Sequence, residues 1–416
     1  MAQLYTSEPL DAAETTTGTR PNYLIPFALV TSLFFLWGFA ISMLDVLNKH
    51  FQEVLNISKA ESAWVQVCTF GAYFLMALPA GYFMKRWGYK RGILAGLLLY
   101  AGGAFLVYPA GEAQSWTFFL VALFILACGL AFLETAANPY ATVLGPKETA
   151  EQRLNLAQSF NGLGVITGPL VGGLLVFAAT SSSVEAGFDS VQLPYLIVGG
   201  IVLLVAVFFF FTKMPEIEEG AGADLVGTEA PTKPLFQNKH FVLAAVAQFL
   251  NVGAQGCIWG FFINYATETL SISNQNASFL LSISMVIFMV GRFASTFFMR
   301  YVQPHVLLGA YGLIMVALLL VVTFNALGAA SIYALVAFFF FQSLTFPTIF
   351  ALGLKDLGTY TKQASSYIIM GIVGGAVFPP VMGAIADTSG TAFSFILPTL
   401  MFVMIAWYGF RGSQLR

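Results

Sequence analysis

Charge is what this chain of 416 residues has least of: Asp, Glu, Lys and Arg together make up only 9% of it. An ordinary soluble domain carries roughly 25%, so water could not wet the surface of this one evenly. A basic excess is missing too. The formal net charge of -2 provides no positive field for nucleic acid. Cysteine is scarce: Cys68, Cys128 and Cys257 lie in separate apolar runs without CxxC spacing, which excludes a disulfide scaffold and a zinc cluster. His50, His240 and His305 are isolated, and neither a G-x-x-x-x-G-K-[ST] phosphate loop nor an H-E-x-x-H pair occurs. Residues 1–22 are polar and lack the basic start and short apolar core of a secretory signal. Nothing reads as a catalytic centre, so a non-enzyme without a cofactor is expected.

What fills the chain is apolar: 58% hydrophobic residues, with 42 Phe and 39 Gly. A membrane-spanning helix needs about 20 apolar residues. Long charge-free intervals predict twelve of them, over residues 24–48, 63–84, 92–110, 116–143, 155–179, 193–212, 240–268, 277–299, 306–325, 329–352, 366–386 and 393–410. The fold class expected is an all-α polytopic membrane protein. An even number of spans puts both termini on one side. Of the 18 Lys+Arg, 15 share that side; Lys49 and Lys59 face the other and Arg292 falls within a span. The bias predicts cytoplasmic termini in a plasma membrane, the inner membrane for a bacterial source.

Residues 214–239, rich in Pro, Gly and Glu, read as a cytoplasmic linker. The expected organisation is a disordered N-terminal tail at 1–22, a six-helix bundle at 23–213, the linker at 214–239, a second bundle at 240–410 and a tail at 411–416. Three echoes in the same order support an internal repeat. MKRWGYKR (84–91) is matched by MRYVQPHV (299–306), ETAANPYATVLG (134–145) by QSLTFPTIFALG (342–353), and GPLVGG (168–173) by PPVMGA (379–384).

Of the 20 Asp+Glu, only Asp45 and Glu134 fall well within spans. A charge at the bilayer centre costs about 2.5–3.5 kcal/mol on insertion scales, so each acid should face a watery cavity, find a partner or be protonated. Asp45 could also be an interfacial acid reaching water, and Glu134 a protonated acid bridging helices. Asn138 follows Glu134 by four residues, on one helix face. Gln158 and Asn161 share a stripe of the fifth span with Asn155, while Gly164, Gly168 and Gly172 recur every four residues and mark close helix packing. In the seventh span Asn251, Gln255 and Trp259 recur at the same spacing. Each amide alone could be interhelical glue. Together, amides that donate and accept, beside an aromatic face, suit the hydroxyls and C–H faces of a sugar. The echoes of Glu134 and Asn138 in the second half are Gln342 and Phe346, so the ionisable chemistry belongs to the first half.

Gly81 followed by Lys85, Arg86, Gly88, Lys90 and Arg91 resembles the loop signature of the major facilitator superfamily, with Lys85 where that family has Asp. FLETAANPYATVLGPKETAEQRLNLAQSFNGLG (132–164), LPAGYFMKRWGYKRGI (78–93), FFLWGFAISMLDVL (34–47), AQFLNVGAQGCIW (247–259) and FPTIFALGLKDLG (346–358) resemble its fucose–galactose–glucose:proton symporter family, the L-fucose members most of all. The resemblance implies two pseudo-symmetric six-helix bundles and import of a monosaccharide with protons by alternating access. It implies proton coupling at Asp45 and Glu134, and sugar contacts from Glu134, Gln158 and Asn161. Ser42 stands where the fucose carriers have Asn and Asn251 where they have an aromatic residue; both are included in the expected sugar site, with Asn138, Gln255 and Trp259. Glu134 departs from the glucose/galactose members, which carry Gln. The expected ion is a proton, with sodium the alternative, and the expected partners are a monosaccharide and membrane lipid, bound by a monomer. A uniporter or exporter of the same fold, or a sugar receptor or channel, are the competing readings.

Overall fold

The computed structural model describes residues 24–144, 150–177, 189–214, 234–357 and 360–415. Among them twelve helices are long and apolar enough to cross a membrane, which makes this a multi-pass membrane protein. The first half contains α1 (Leu24–Val54), α2 (Trp64–Trp87), α3 (Tyr89–Glu112), α4 (Trp116–Val143), α5 (Ala150–Val171) and α6 (Asp189–Phe211). The second contains α7 (Lys239–Gly260), α8 (Asn274–Phe298), α9 (Pro304–Thr323), α10 (Ser331–Gln342 and Thr345–Leu354), α11 (Thr361–Met370 and Gly374–Ser389) and α12 (Thr391–Ser394 and Ile396–Phe410). The tail at 1–22 and most of the linker at 214–239 lie outside the described residues; Leu235–Gln237 forms one 3-10 turn.

Five spans differ from the expected continuous helices, the twelfth by a break at Phe395. The fifth widens into a π-helical turn over Gly172–Phe177. The seventh breaks at Phe261 and resumes over Phe262–Leu270. The Gly260 carbonyl at that break accepts from the Asn48 amide, 2.6 Å away in the other half. The tenth breaks at Ser343–Leu344, where the Ser343 and Thr345 hydroxyls donate to the Phe340 and Gln342 carbonyls and compete with the helix ladder. The eleventh tightens to 3-10 geometry over Gly371–Val373. The expected tail at 411–416 is docked: the Leu415 carbonyl accepts from the His240 N–H of α7 at 2.9 Å.

The repeat is visible in the packing. In the first half α1 pairs with α5, α2 with α4 and α3 with α6; in the second α7 pairs with α11, α8 with α10 and α9 with α12. Small residues permit the close pairs, because lipid gives helices no hydrophobic reason to associate. The glycine stripe of α5 lies on α1: a Cβ at Gly164 would be 2.2 Å from the Phe35 carbonyl oxygen, and one at Gly168 would be 1.9 Å from Ser42 Oγ. The equivalent approach in the second half puts Gly374 against the Phe249 carbonyl of α7, where a Cβ would be 2.0 Å away.

The halves meet through α5 with α8 and through α2 with α11, which are equivalent pairs under the repeat. Their contacts concentrate at the end opposite the termini. There the short helix Lys59–Ser62 packs on α11, and Lys59 Nζ reaches Glu268 Oε1 at 2.8 Å. One step inward, Asn264 donates to Gln52 Oε1 at 2.5 Å and Gln52 donates to Ser62 Oγ at 2.9 Å. Toward the other end the bonds between the halves thin out, Ser282 to the Ile166 carbonyl at 2.6 Å lying deepest of those named, and α4 and α10 pack on helices of their own halves.

Candidate functional site

Polar side chains from four helices of the first half converge at mid-bundle. The Gln158 amide of α5 donates to Asn138 Oδ1 of α4 at 3.1 Å, and the Asn138 amide donates to the Glu134 backbone carbonyl at 3.1 Å. Glu134, Asn138 and Gln158 are half-buried, so they line a space and are not sealed in the core. The Tyr73 hydroxyl of α2 lies beside the Trp37 indole of α1 and within electrostatic reach of Glu134. Asn161 donates to the Phe34 carbonyl at 3.1 Å, tying α5 to α1 beside the cluster. The i, i+4 spacing read from the sequence does place Glu134 and Asn138 on one face.

Across the bundle, Trp259 Nε1 donates to Gln342 Oε1 at 2.9 Å. Its ring stacks on Phe339 (centroids 5.9 Å apart) and meets Phe288 edge-on at 5.4 Å. Two aromatic neighbours and one hydrogen bond fix this indole in place. Gln342 was legible only as the echo of Glu134. Trp37 and Tyr73 carried no periodic signal and were missed. Between the halves, Gly162 of α5 faces the Met289 sulfur of α8; Asn161 and Phe288 are their chain neighbours.

Other expected residues sit elsewhere. Ser42 is fully buried and donates to the Phe39 carbonyl at 3.1 Å, under Gly168. It packs α1 on α5 and does not line the cluster, because its short side chain is covered by a helix at glycine distance. Asn251 is also fully buried, and neither of its amide atoms has a hydrogen-bond partner among the described residues. It lies inside the second bundle, next to the tight α7–α11 seam formed by Phe249 and Gly374. Gln255, one turn later, is half-buried. Arg292 is held over the Phe288 ring at 5.1 Å.

Asp45 is 6% exposed. Neither it nor Glu134 has a hydrogen-bond or ion-pair partner for its carboxyl among the described residues. Along α1, Asn48 and Gln52 follow Asp45 by about 4.5 and 10.5 Å at 1.5 Å per residue. Both belong to the seal between the halves, so Asp45 sits one turn beneath it. The seal residues Asn48, Gln52 and Asn264 were not expected; the four-residue spacing of the first two was the available signal. A carboxyl without a partner, alternately shut off from and opened to water, can take up and release a proton. Among the described residues no cluster of His, Cys, Asp and Glu could hold a metal ion.

Comparison with known proteins agrees with this arrangement. The sequence profile described as Major Facilitator Superfamily matches residues 30–372. The L-fucose-proton symporter of Escherichia coli (strain K12) is 40% identical over 425 residues, covering 97% of this chain and 96% of that protein. The glucose/galactose transporter of Brucella abortus biovar 1 is 37% identical over 412 residues, covering 98% of each. A crystal structure of the transporter FucP in the outward conformation is similar with a TM-score of 0.65 and 38% identity, covering 93% of this chain and 98% of that one. The chain therefore belongs to the Major Facilitator Superfamily, in the group that includes these sugar transporters.

Proposed function

We propose that this protein is a proton-coupled symporter that imports a monosaccharide of the L-fucose, glucose and galactose class by alternating access. The observation that carries the reading is the linked set Glu134–Asn138–Gln158 in one half and the Trp259–Gln342 pair in the other. Amides and a carboxyl offer hydrogen bonds to a ring of hydroxyls, and an indole offers a face to its C–H groups. Similarity to transporters named for L-fucose with protons, and for glucose and galactose, supports the same class. Glu134 favours L-fucose within it, as the acid implied by resemblance to the fucose carriers.

The basic bias supports cytoplasmic termini in a plasma membrane, the inner one in a bacterium. The sealed end then faces outward and the opposite end faces the cytoplasm. The modest TM-score of 0.65 against an outward-facing relative of 38% identity is what one fold at opposite stages of its cycle would give. In that cycle Asp45 is the main proton carrier, reached from outside when the Asn48–Gln52–Asn264 seal opens. Glu134 lies by the sugar and links its binding to protonation. Protonation removes the charge that a closed, water-poor passage penalises, so the loaded protein can switch. One positive charge moved inward gains about 2.3 kcal/mol per 100 mV, enough for roughly 50-fold accumulation. A single chain holds both clusters, so the monomer suffices.

The test is uptake of radiolabelled L-fucose, D-glucose and D-galactose into liposomes containing the purified protein. An imposed pH gradient should drive accumulation of at least one sugar, and a protonophore should abolish it. Accumulation that follows a sodium gradient alone would replace the proton by sodium. Sugar equilibration without accumulation under either gradient would make the protein a uniporter.

A further inference from the structure

A cavity of about 620 Å³ opens between α8, α9 and α10 toward the end of the bundle that carries the termini. Three cationic or potentially cationic side chains line it, Arg292, His305 and Lys355, together with Gln303, Thr296 and Thr348. No Asp or Glu does. Neither Arg292 nor Lys355 has an ion-pair partner among the described residues. Lys355 is exposed and His305 half-buried, and both sit where basic side chains ordinarily meet lipid headgroups. Arg292 does not. It lies six residues before the end of α8, about 9 Å deeper, with its guanidinium held over the Phe288 ring at 5.1 Å.

Two donors in this cavity are left over. Among the described residues, Arg292 Nε is buried without an acceptor, and the Thr348 hydroxyl, in a residue only 2% exposed, has no partner. An unsatisfied buried donor costs free energy, more when it carries charge. Like charges gathered on one wall add to that cost. An anion with several acceptor oxygens answers both. A phosphate group carries about -1.5 to -2 charges and three acceptor oxygens, and a guanidinium presents a planar fork that binds it in bidentate fashion. A monocarboxylate would satisfy the fork and leave the other donors idle. The cavity volume leaves room for an organic body beside the phosphate. Phe288 lies under Arg292 and meets Trp259 edge-on, but neither Trp259 nor Gln342 lines this cavity, so it is a different space from the proposed sugar site.

We propose that the cavity bounded by Arg292, His305 and Lys355 binds a phosphate-bearing anion, with Arg292 as its deep anchor and Lys355 at its mouth. Two sources share this chemistry: a soluble phosphate ester, or the headgroup of an anionic phospholipid entering from the membrane.

Thermal unfolding of the full-length protein in a neutral detergent separates them. The probes are inorganic phosphate, a hexose 6-phosphate, and phosphatidylglycerol in mixed micelles; chloride at matched ionic strength and phosphatidylcholine are the controls. A saturable rise in Tm with either soluble probe assigns the site to free phosphates. A rise with phosphatidylglycerol alone assigns it to the lipid headgroup. In both cases the apparent Kd should increase at least tenfold in Arg292→Gln and severalfold in Lys355→Gln. Lys355 is exposed, so its variant keeps the test decisive if Arg292→Gln does not fold. The absence of any saturable shift beyond the controls, or a shift that Lys355→Gln leaves unchanged, overturns the proposal. The readout is binding, so it stands or falls independently of sugar uptake.

Discussion

The Asp387 carboxylate accepts from the backbone N–H groups of both Lys59, at 2.9 Å, and Ala60, at 3.0 Å. An acid near the end of α11 in one half thus receives the first turn of the short helix Lys59–Ser62 in the other, where exposed N–H groups favour a negative charge. Lys59 Nζ adds bonds to Glu268 and Thr391 at 2.8 and 2.6 Å. Glycine lets the elements approach this closely: a Cβ at Gly383 would be 2.6 Å from the Ala60 backbone. The latch must open for sugar to enter from that side.

Asp387→Asn weakens both bonds without changing shape. At an exposed position the loss should be about 1 kcal/mol, or roughly fivefold in the balance between sealed and open forms. Gln66, 1% exposed and packed on Gly260 under the seal, supplies the reporter. Thiol labelling of a Gln66→Cys protein should run severalfold faster with Asp387→Asn than without it. Equal rates would mean that the latch contributes nothing to closure.

Gln158→Ala should weaken sugar binding severalfold, the effect of a hydrogen bond worth on the order of 1 kcal/mol. Asn138→Ala should do the same. Because the two amides bond each other, the double variant should lose less than the two losses added together. Isothermal titration with the transported sugar would reveal this, and strict additivity would mean that each amide acts alone. Ser42→Ala, by contrast, should leave affinity within twofold, since Ser42 faces Gly168 and not the cluster.

Trp259→Phe preserves the stack on Phe339 and removes the N–H that Gln342 Oε1 receives. The Gln342 amide nitrogen already has no partner among the described residues, so this variant leaves the whole amide unanchored. Sugar affinity should fall at least severalfold, while the monodisperse elution of the purified protein is unchanged. Wild-type affinity would take the indole out of the sugar site.

Asp45→Asn imitates the protonated carboxyl. Exchange of labelled for unlabelled sugar across vesicles should persist, and accumulation driven by a pH gradient should disappear. Glu134→Gln keeps a hydrogen-bonding side chain and should disturb exchange less than Glu134→Ala. Accumulation by Asp45→Asn with its pH dependence intact would remove the proton role from Asp45.

Helix count, the division into halves and the glycine stripe could all be read without coordinates, because a bilayer imposes them residue by residue. A span must be apolar over its whole length, and Gly164, Gly168 and Gly172 recur on one face whatever that face meets. The pairing of Glu134 with Asn138 was legible for the same reason, since 3.6 residues per turn bring i and i+4 together. Which polar residues share a space is a different matter. Ser42 and Asn251 have the chemistry of sugar ligands, yet one is capped by α5 at glycine distance and the other is enclosed beside the α7–α11 seam. Tyr73 and Gln342 carry no periodic mark and still reach the site. The break at Phe261, the carbonyl that Gly260 gives to Asn48 and the Asp387 latch join residues more than 200 positions apart. No local pattern encodes such contacts, because they arise only when two bundles folded by their own short-range rules are pressed together.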